Sequence, residues 1–234
     1  MDWPGLYNCI ILSLASFCLQ TAECCGNVNL KWNPHTQYIA NKISRTIGVL
    51  NKLKHYLPFK IRKLLYNSLI LSHLQYGVLV WGYEMWKLIK IQKRAIRILN
   101  NSKYNSHTEP LFKKNNLLKL PDILKLNELK FYYKYEKRCL PFTLQSLPLN
   151  PNSVFHQHDT RSKNKIHLTK VNHEFAKKCI RYSIPDTIND MPTSIIQKIY
   201  THSMHSLGNY YKKYTISQYQ SDCYIINCYI CRNR

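Results

Sequence analysis

Residues 33 to 57, NPHTQYIANKISRTIGVLNKLKHYL, decide the reading of this chain. Ile39, Ile43, Ile47, Leu50, Leu53 and Leu57 recur in steps of three and four, which places them on one face of an α-helix. Lys42, Arg45, Lys52 and Lys54 occupy the opposite face, so the segment is amphipathic and basic. Asn33 is expected to cap the helix and Pro34 to fill its first position, where a missing N–H costs nothing. Pro58 ends the run or opens the next helix.

Working outward, Phe59 to Leu74 is apolar almost all round, through Ile61, Leu64, Leu65, Leu69, Ile70, Leu71 and Leu74. Such a segment predicts a helix buried against several neighbours at the centre of the core. The glycines of Tyr76-Gly77-Val78-Leu79-Val80-Trp81-Gly82 mark a bend, and a third helix is expected from about Glu84 to Leu99, with Leu88, Ile91, Ala95, Ile98 and Leu99 as its apolar stripe. Pro110 to Asn115 allows a short helix, and Pro121-Asp122 opens another running to about Arg138 through Ile123, Leu126, Leu129, Tyr132 and Tyr133. Helices are thus expected near residues 34 to 56, 59 to 74, 84 to 99 and 121 to 138. Pro141 and Pro148 then break the pattern, and Asn, Ser, His and Thr dominate up to residue 170. The fold class is mainly α: a helical bundle over 28–140, a linker over 141–170, and a less regular, small α-rich region over 171–234. Residues 1–27 form a separate apolar segment.

Across 234 residues, 34 Lys and Arg face 12 Asp and Glu, a formal net charge of +22. The excess is concentrated: residues 1 to 30 hold no Lys or Arg, while residues 31 to 140 hold 22 of them against 5 acids. A polyanion is the natural partner of such a field, and a membrane surface or an acidic protein could also answer it, but 18 Tyr and 4 Trp interleaved with the cations favour a partner with stackable bases as well as phosphates. On the third helix Lys87, Lys90, Arg94 and Arg97 recur at helical spacing with Lys93 beside them, so they project from one side. A row of this kind can track a phosphate backbone; a solvated polar face is the competing reading. Lys42, Arg45, Lys87, Lys90, Lys93, Arg94 and Arg97 are therefore the candidate nucleic-acid-binding residues.

The nine cysteines leave Cys25 to Cys139 empty, which does not suit a disulfide framework and points to reduced thiols inside a cell. Leu6 to Leu19 is apolar, but Met1-Asp2-Trp3-Pro4-Gly5 carries an acid and no base where a secretory signal wants positive charge. The run is also shorter than the ~20 residues of a membrane span. Cys223, Cys228 and Cys231 lie near His202 and His205, yet no His follows the cysteine pair as a zinc knuckle requires, and no metal site is expected there. His156, Gln157 and His158 before Asp159 read as a solvated polar loop. No cofactor is implied.

The ordered string of motifs resembles the region beyond the palm in reverse transcriptases of jockey-like non-LTR retrotransposons and related LINE elements. It comprises Leu30-Lys31-Trp32-Asn33-Pro34-His35; Lys42-Ile43-Ser44-Arg45-Thr46-Ile47-Gly48-Val49-Leu50; Leu65-Tyr66-Asn67-Ser68-Leu69-Ile70; Tyr76-Gly77 through Trp81-Gly82; and Gln92-Lys93-Arg94-Ala95-Ile96-Arg97. His107-Thr108-Glu109-Pro110-Leu111-Phe112, Asp159-Thr160-Arg161 and Ile188-Asn189-Asp190-Met191-Pro192 continue it, the last without the tryptophan and leucine of the family's Trp-Asn-x-Leu-Pro. The order and spacing of these short motifs, over roughly residues 28 to 220, carry the resemblance. It implies a helical thumb that grips an RNA or DNA template–primer duplex, packed in the parent polymerase on a palm domain.

Reverse transcription needs two metal ions held by palm carboxylates, typically with an Asp-Asp pair. No two acidic residues are adjacent in this chain, and the family's palm would lie before Leu30. No Gly-x-Ser-x-Gly or Walker motif replaces it. The expectation is a reverse-transcriptase fragment that binds nucleic acid without polymerising. The alternative is a small basic secreted or membrane-associated protein whose N-terminal apolar run is a working signal.

Overall fold

The structure is a computed structural model that describes residues 32 to 155 and 160 to 221. The N-terminal apolar segment, His156 to Asp159 and the Cys223, Cys228 and Cys231 tail lie outside the described residues. The described chain is mainly α-helical. It contains no β-strand, only an isolated antiparallel bridge between Pro151 and Ile166.

Helix α1 spans Asn33–Leu53 and buries Ile39, Ala40, Ile43, Ile47 and Leu50. Each buried Ile or Leu contributes roughly 1.5–3 kcal/mol, which outweighs the ~1 kcal/mol cost of Gly48 in the helix interior. Two expectations need correction at its ends. Asn33 is the first helical residue rather than the cap, since Trp32 takes the cap position and makes no side-chain bond there. Leu53 is exposed rather than part of the core stripe, because the helix stops at it and the following turn, restricted by Pro58, leads the chain away.

Helix α2 is composite: an α-helical segment Phe59–Leu65, a π-helical segment Tyr66–Leu71 and a closing turn Ser72–Gln75. The Ser72 N–H reaches back to the Asn67 carbonyl, five residues away, as a π-helix requires. Tyr66, Ile70 and Leu74 point into the core, fully buried, while Phe59, Ile61, Leu64 and Leu69 are exposed. The expectation of a helix buried all round is thus corrected to a two-faced helix, one face of which is apolar and solvent-facing. Composition around the whole helix could not show this, because both faces carry the same residue types.

Gly77 makes the expected bend, with φ of 62°, a left-handed conformation that favours glycine. It leads into a single turn α3, Val78–Trp81, and a 3-10 turn Gly82–Glu84. Trp81 is buried and its indole N–H donates to the Tyr76 carbonyl across the bend at 2.8 Å. Helix α4 then runs Trp86–Leu99, α5 Glu109–Lys114 and α6 Leu120–Glu136. The chain leaves α4, α5 and α6 through Asn101, Asn116 and Arg138, all with φ near 50°. In each case the next residue's N–H bonds to the carbonyl five back, Ser102 to Arg97, Leu117 to Phe112 and Cys139 to Lys134. This is the Schellman closure, made here with Asn and Arg in place of the usual Gly.

The described residues between 141 and 170 are largely irregular, as their prolines and polar residues imply. The region beyond is more regular than expected, with α7 Ile180–Asp190, α8 Thr193–Thr201 and α9 Met204–Ser217. Ile184, Ile188, Ile195, Ile199, Leu207 and Tyr211 are buried and tie these helices to the same core cluster as α1, α2 and α4. Helices α7 and α9 pack on α6, and α1 packs most extensively on α4. Among the described residues no helix is long and apolar enough to cross a membrane.

Two amide side chains, Gln92 buried and Asn189 half-buried, lock the packing. Gln92 on α4 donates to the Tyr66 hydroxyl at 3.2 Å and the Leu118 carbonyl at 3.1 Å, and accepts from the Leu120 N–H at 2.9 Å. It joins α2, α4 and the start of α6. On α7, Asn189 accepts from the Ile166 N–H and donates to the Ile166 carbonyl, both at 2.9 Å, and so pins the irregular segment as a neighbouring strand would.

Candidate nucleic-acid interface

The faces of α4 follow from its sequence. Leu88, Gln92, Ala95, Ile96 and Leu99 are buried, which turns Lys87, Lys90, Lys93, Arg94 and Arg97 to the opposite side at steps of three and four. The buried face is rotated slightly from the expected stripe: Ile91 and Ile98 are half-buried, and Gln92 and Ile96 take the centre. Lys90, Lys93 and Arg94 are exposed. α4 itself carries no acid. The nearest carboxylate before it, Glu84, is paired with Lys178 at 3.5 Å.

The ends of the row are engaged in the fold. Lys87 is half-buried and donates to the Gln37 side-chain carbonyl of α1 at 3.3 Å. The Arg97 Nε donates to the Ser106 carbonyl at 2.8 Å and anchors the loop between α4 and α5. Burial lowers the pKa of Arg97 from its ordinary value, with the nearby Tyr104 opposing the shift; an arginine stays charged regardless. Lys90 holds its ammonium 4.4 Å from the centre of the Trp86 ring.

Lys42 and Arg45 are exposed on α1, but they do not complete a single cluster with the row. Gln37 and Lys42 lie on opposite edges of α1's buried face, and the α4 row reaches α1 through Gln37. Lys42 instead faces α2, where its charge acts on His73, whose pKa is lowered first by burial and then by that charge. The structure therefore shows a central basic face on α4 and a separate pair of cations on α1.

Trp86 is a feature of this surface that sequence reasoning missed. It is 56% exposed, whereas Trp81 is buried and Trp32 half-buried. Its spacing to Lys90, Lys93 and Arg97 is the same helical step that groups the cations, so the signal was present. It was obscured because an aromatic residue at a helix start is ordinarily counted with the core.

Among the described residues no group of three or more His, Cys, Asp or Glu side chains is arranged to hold a metal ion. Comparison with known proteins finds no matching family, curated protein or solved structure.

Proposed function

We propose that this chain binds nucleic acid through the solvent face of α4, as a thumb-derived fragment of a non-LTR retrotransposon reverse transcriptase. The observation that carries the reading is the exposed, acid-free trio Lys90, Lys93 and Arg94 on a helix whose other side is locked in the core. A rigid helix rises about 1.5 Å per residue, so Lys87 to Arg97 extends over roughly 15 Å, enough to follow several phosphates of one strand at ~3.4 Å each. The resemblance in motif order supports the origin. Its residues serve packing here: Tyr66, Ile70 and Trp81 fill the core, Gly77 makes the bend, and Gln92 and Asn189 clamp neighbouring elements. The likeness therefore speaks to architecture rather than chemistry. The chain makes no DNA by itself, because its twelve carboxylates include no adjacent pair to hold the two metal ions of polymerisation.

The test is a salt series on a duplex oligonucleotide. The wild type should bind tightly at low salt with little sequence preference. The triple variant Lys90→Ala/Lys93→Ala/Arg94→Ala should bind more weakly, with the log–log salt slope flattened by about one unit for each phosphate it no longer neutralises. Neither protein should incorporate nucleotides on a primed RNA template with magnesium. Unchanged affinity and slope in the variant would assign the row to solvent and overturn the interface; template-dependent synthesis would overturn the fragment reading.

A further inference from the structure

The exposed indole of Trp86 lies on the same face as the cations, at one end of the row, beneath the Lys90 ammonium at 4.4 Å. Burying a tryptophan is strongly favourable, yet this one is 56% exposed on a helix otherwise well packed, so a large flat apolar surface stays open beside the Lys90 ammonium. Its neighbours are cationic: Lys90 above the ring and Lys87 one residue on, the latter steadied by Gln37 of α1. An aromatic face beside ammonium groups suits a ligand with a flat ring attached to a phosphate, which is the chemistry of an unpaired nucleotide. A base inside a duplex is already stacked on both sides and offers no free face. A base just beyond the end of a duplex does.

We propose that Trp86 is a stacking platform for the first unpaired base at a duplex end, while Lys90, Lys93 and Arg94 hold the phosphates of the adjoining duplex. This deepens the nucleic-acid reading above and rests on it. The Lys90 ammonium either stays over the indole or moves to a phosphate; an exposed cation–π contact is weak, so the exchange is easily met by a phosphate contact. The site thereby prefers a junction between paired and unpaired strand over either form alone.

The experiment uses the full chain and two DNA hairpins of identical stem, each closed by a flexible linker without bases, one blunt and one with a short unpaired tail, at low salt. The tailed hairpin should bind more tightly than the blunt one and quench the tryptophan fluorescence. Trp86→Ala should lose roughly tenfold in affinity for the tailed hairpin, the effect of removing one stacked base, and little for the blunt one. Trp86→Phe keeps an aromatic ring, and so should keep most of the tail preference while losing the quench, which assigns the signal to Trp86 rather than to Trp3, Trp32 or Trp81. Matching circular dichroism spectra exclude a folding defect. If both hairpins bind and Trp86→Ala retains the tail preference, or the wild type shows no quench on the tailed hairpin, the stacking site is refuted while the basic face stands. If neither hairpin binds, both fall.

Discussion

Two glycines illustrate how local backbone demands can be read residue by residue. Gly48 lies in the interior of α1, and a β-carbon built there would meet nothing within 4 Å. Nothing in this fold requires a glycine at that position, so Gly48→Ala should recover the helix propensity that glycine forfeits, about 1 kcal/mol. Gly77 is the opposite case, since its φ of 62° is costly for any residue with a β-carbon. Gly77→Ala should lose about 1 kcal/mol or more. For a domain of this size each change shifts the melting temperature by roughly 2–4 °C. Thermal melts of the two variants should move in opposite directions; a drop for Gly48→Ala would mean that the site is packed against something the fold does not show.

At the scale of elements, α6 is where a buried charge meets two other elements. Glu128 is buried and accepts hydrogen bonds from the hydroxyl of Tyr83, in the 3-10 turn, and from Thr187 on α7 at 2.8 Å. Desolvation raises its pKa above the ordinary 4.5, with the bonds from Tyr83, Thr187 and Ser183 and the charge of Lys125 opposing the rise. Because the folded state holds this proton more tightly than the unfolded chain, ionising Glu128 costs stability. The cost is absent below pH 4.5 and grows as pH rises through the folded-state pKa. Glu128→Gln keeps an acceptor in place and removes the ionisation. Relative to wild type, its melting temperature should therefore improve as pH is raised from 4 towards 7. A difference that stays flat or reverses over that range would show that Glu128 ionises in the fold without penalty. Helices α1, α4 and α6 and the Gly77 bend were legible in the sequence, because apolar spacing and glycine position report the backbone directly. The exposed face of α2 and the regularity of α7 to α9 were not. In α2 the π-helical segment changes which residues share a face, and no period of 3.6 describes it. Helices α7 and α8 are short, Pro185 within α7 imitates a break, and the buried residues of α9, Leu207, Tyr211 and Ile216, are sparse. The basic row itself was legible, but Arg97's bond to Ser106, Lys87's bond to Gln37 and the separation of Lys42 from α4 depend on tertiary neighbours that spacing cannot name.

For the whole molecule the dominant fact is a net charge of +22. Repulsion among so many like charges raises the energy of the compact state relative to the expanded one. Among the described residues the opposing ion pairs are few, and those of Lys177 with Glu174 and Lys125 with Asp190 are exposed, where solvent screens the attraction. Added salt screens both effects, but the repulsion involves every cation within a Debye length of about 10 Å at 0.1 M, whereas the attractions are limited by the twelve acids. Screening the repulsion therefore wins. The melting temperature of the free protein should rise as sodium chloride is increased from low to physiological concentration. Over the same range its affinity for nucleic acid should fall, since salt removes the entropy gained when a polyanion releases its counterions. The two opposite slopes, measured on one preparation, separate loss of binding from loss of folding. A melting temperature that falls with salt would show that local ion pairs outweigh the global repulsion, and weaker binding at high salt could then no longer be credited to the basic face alone.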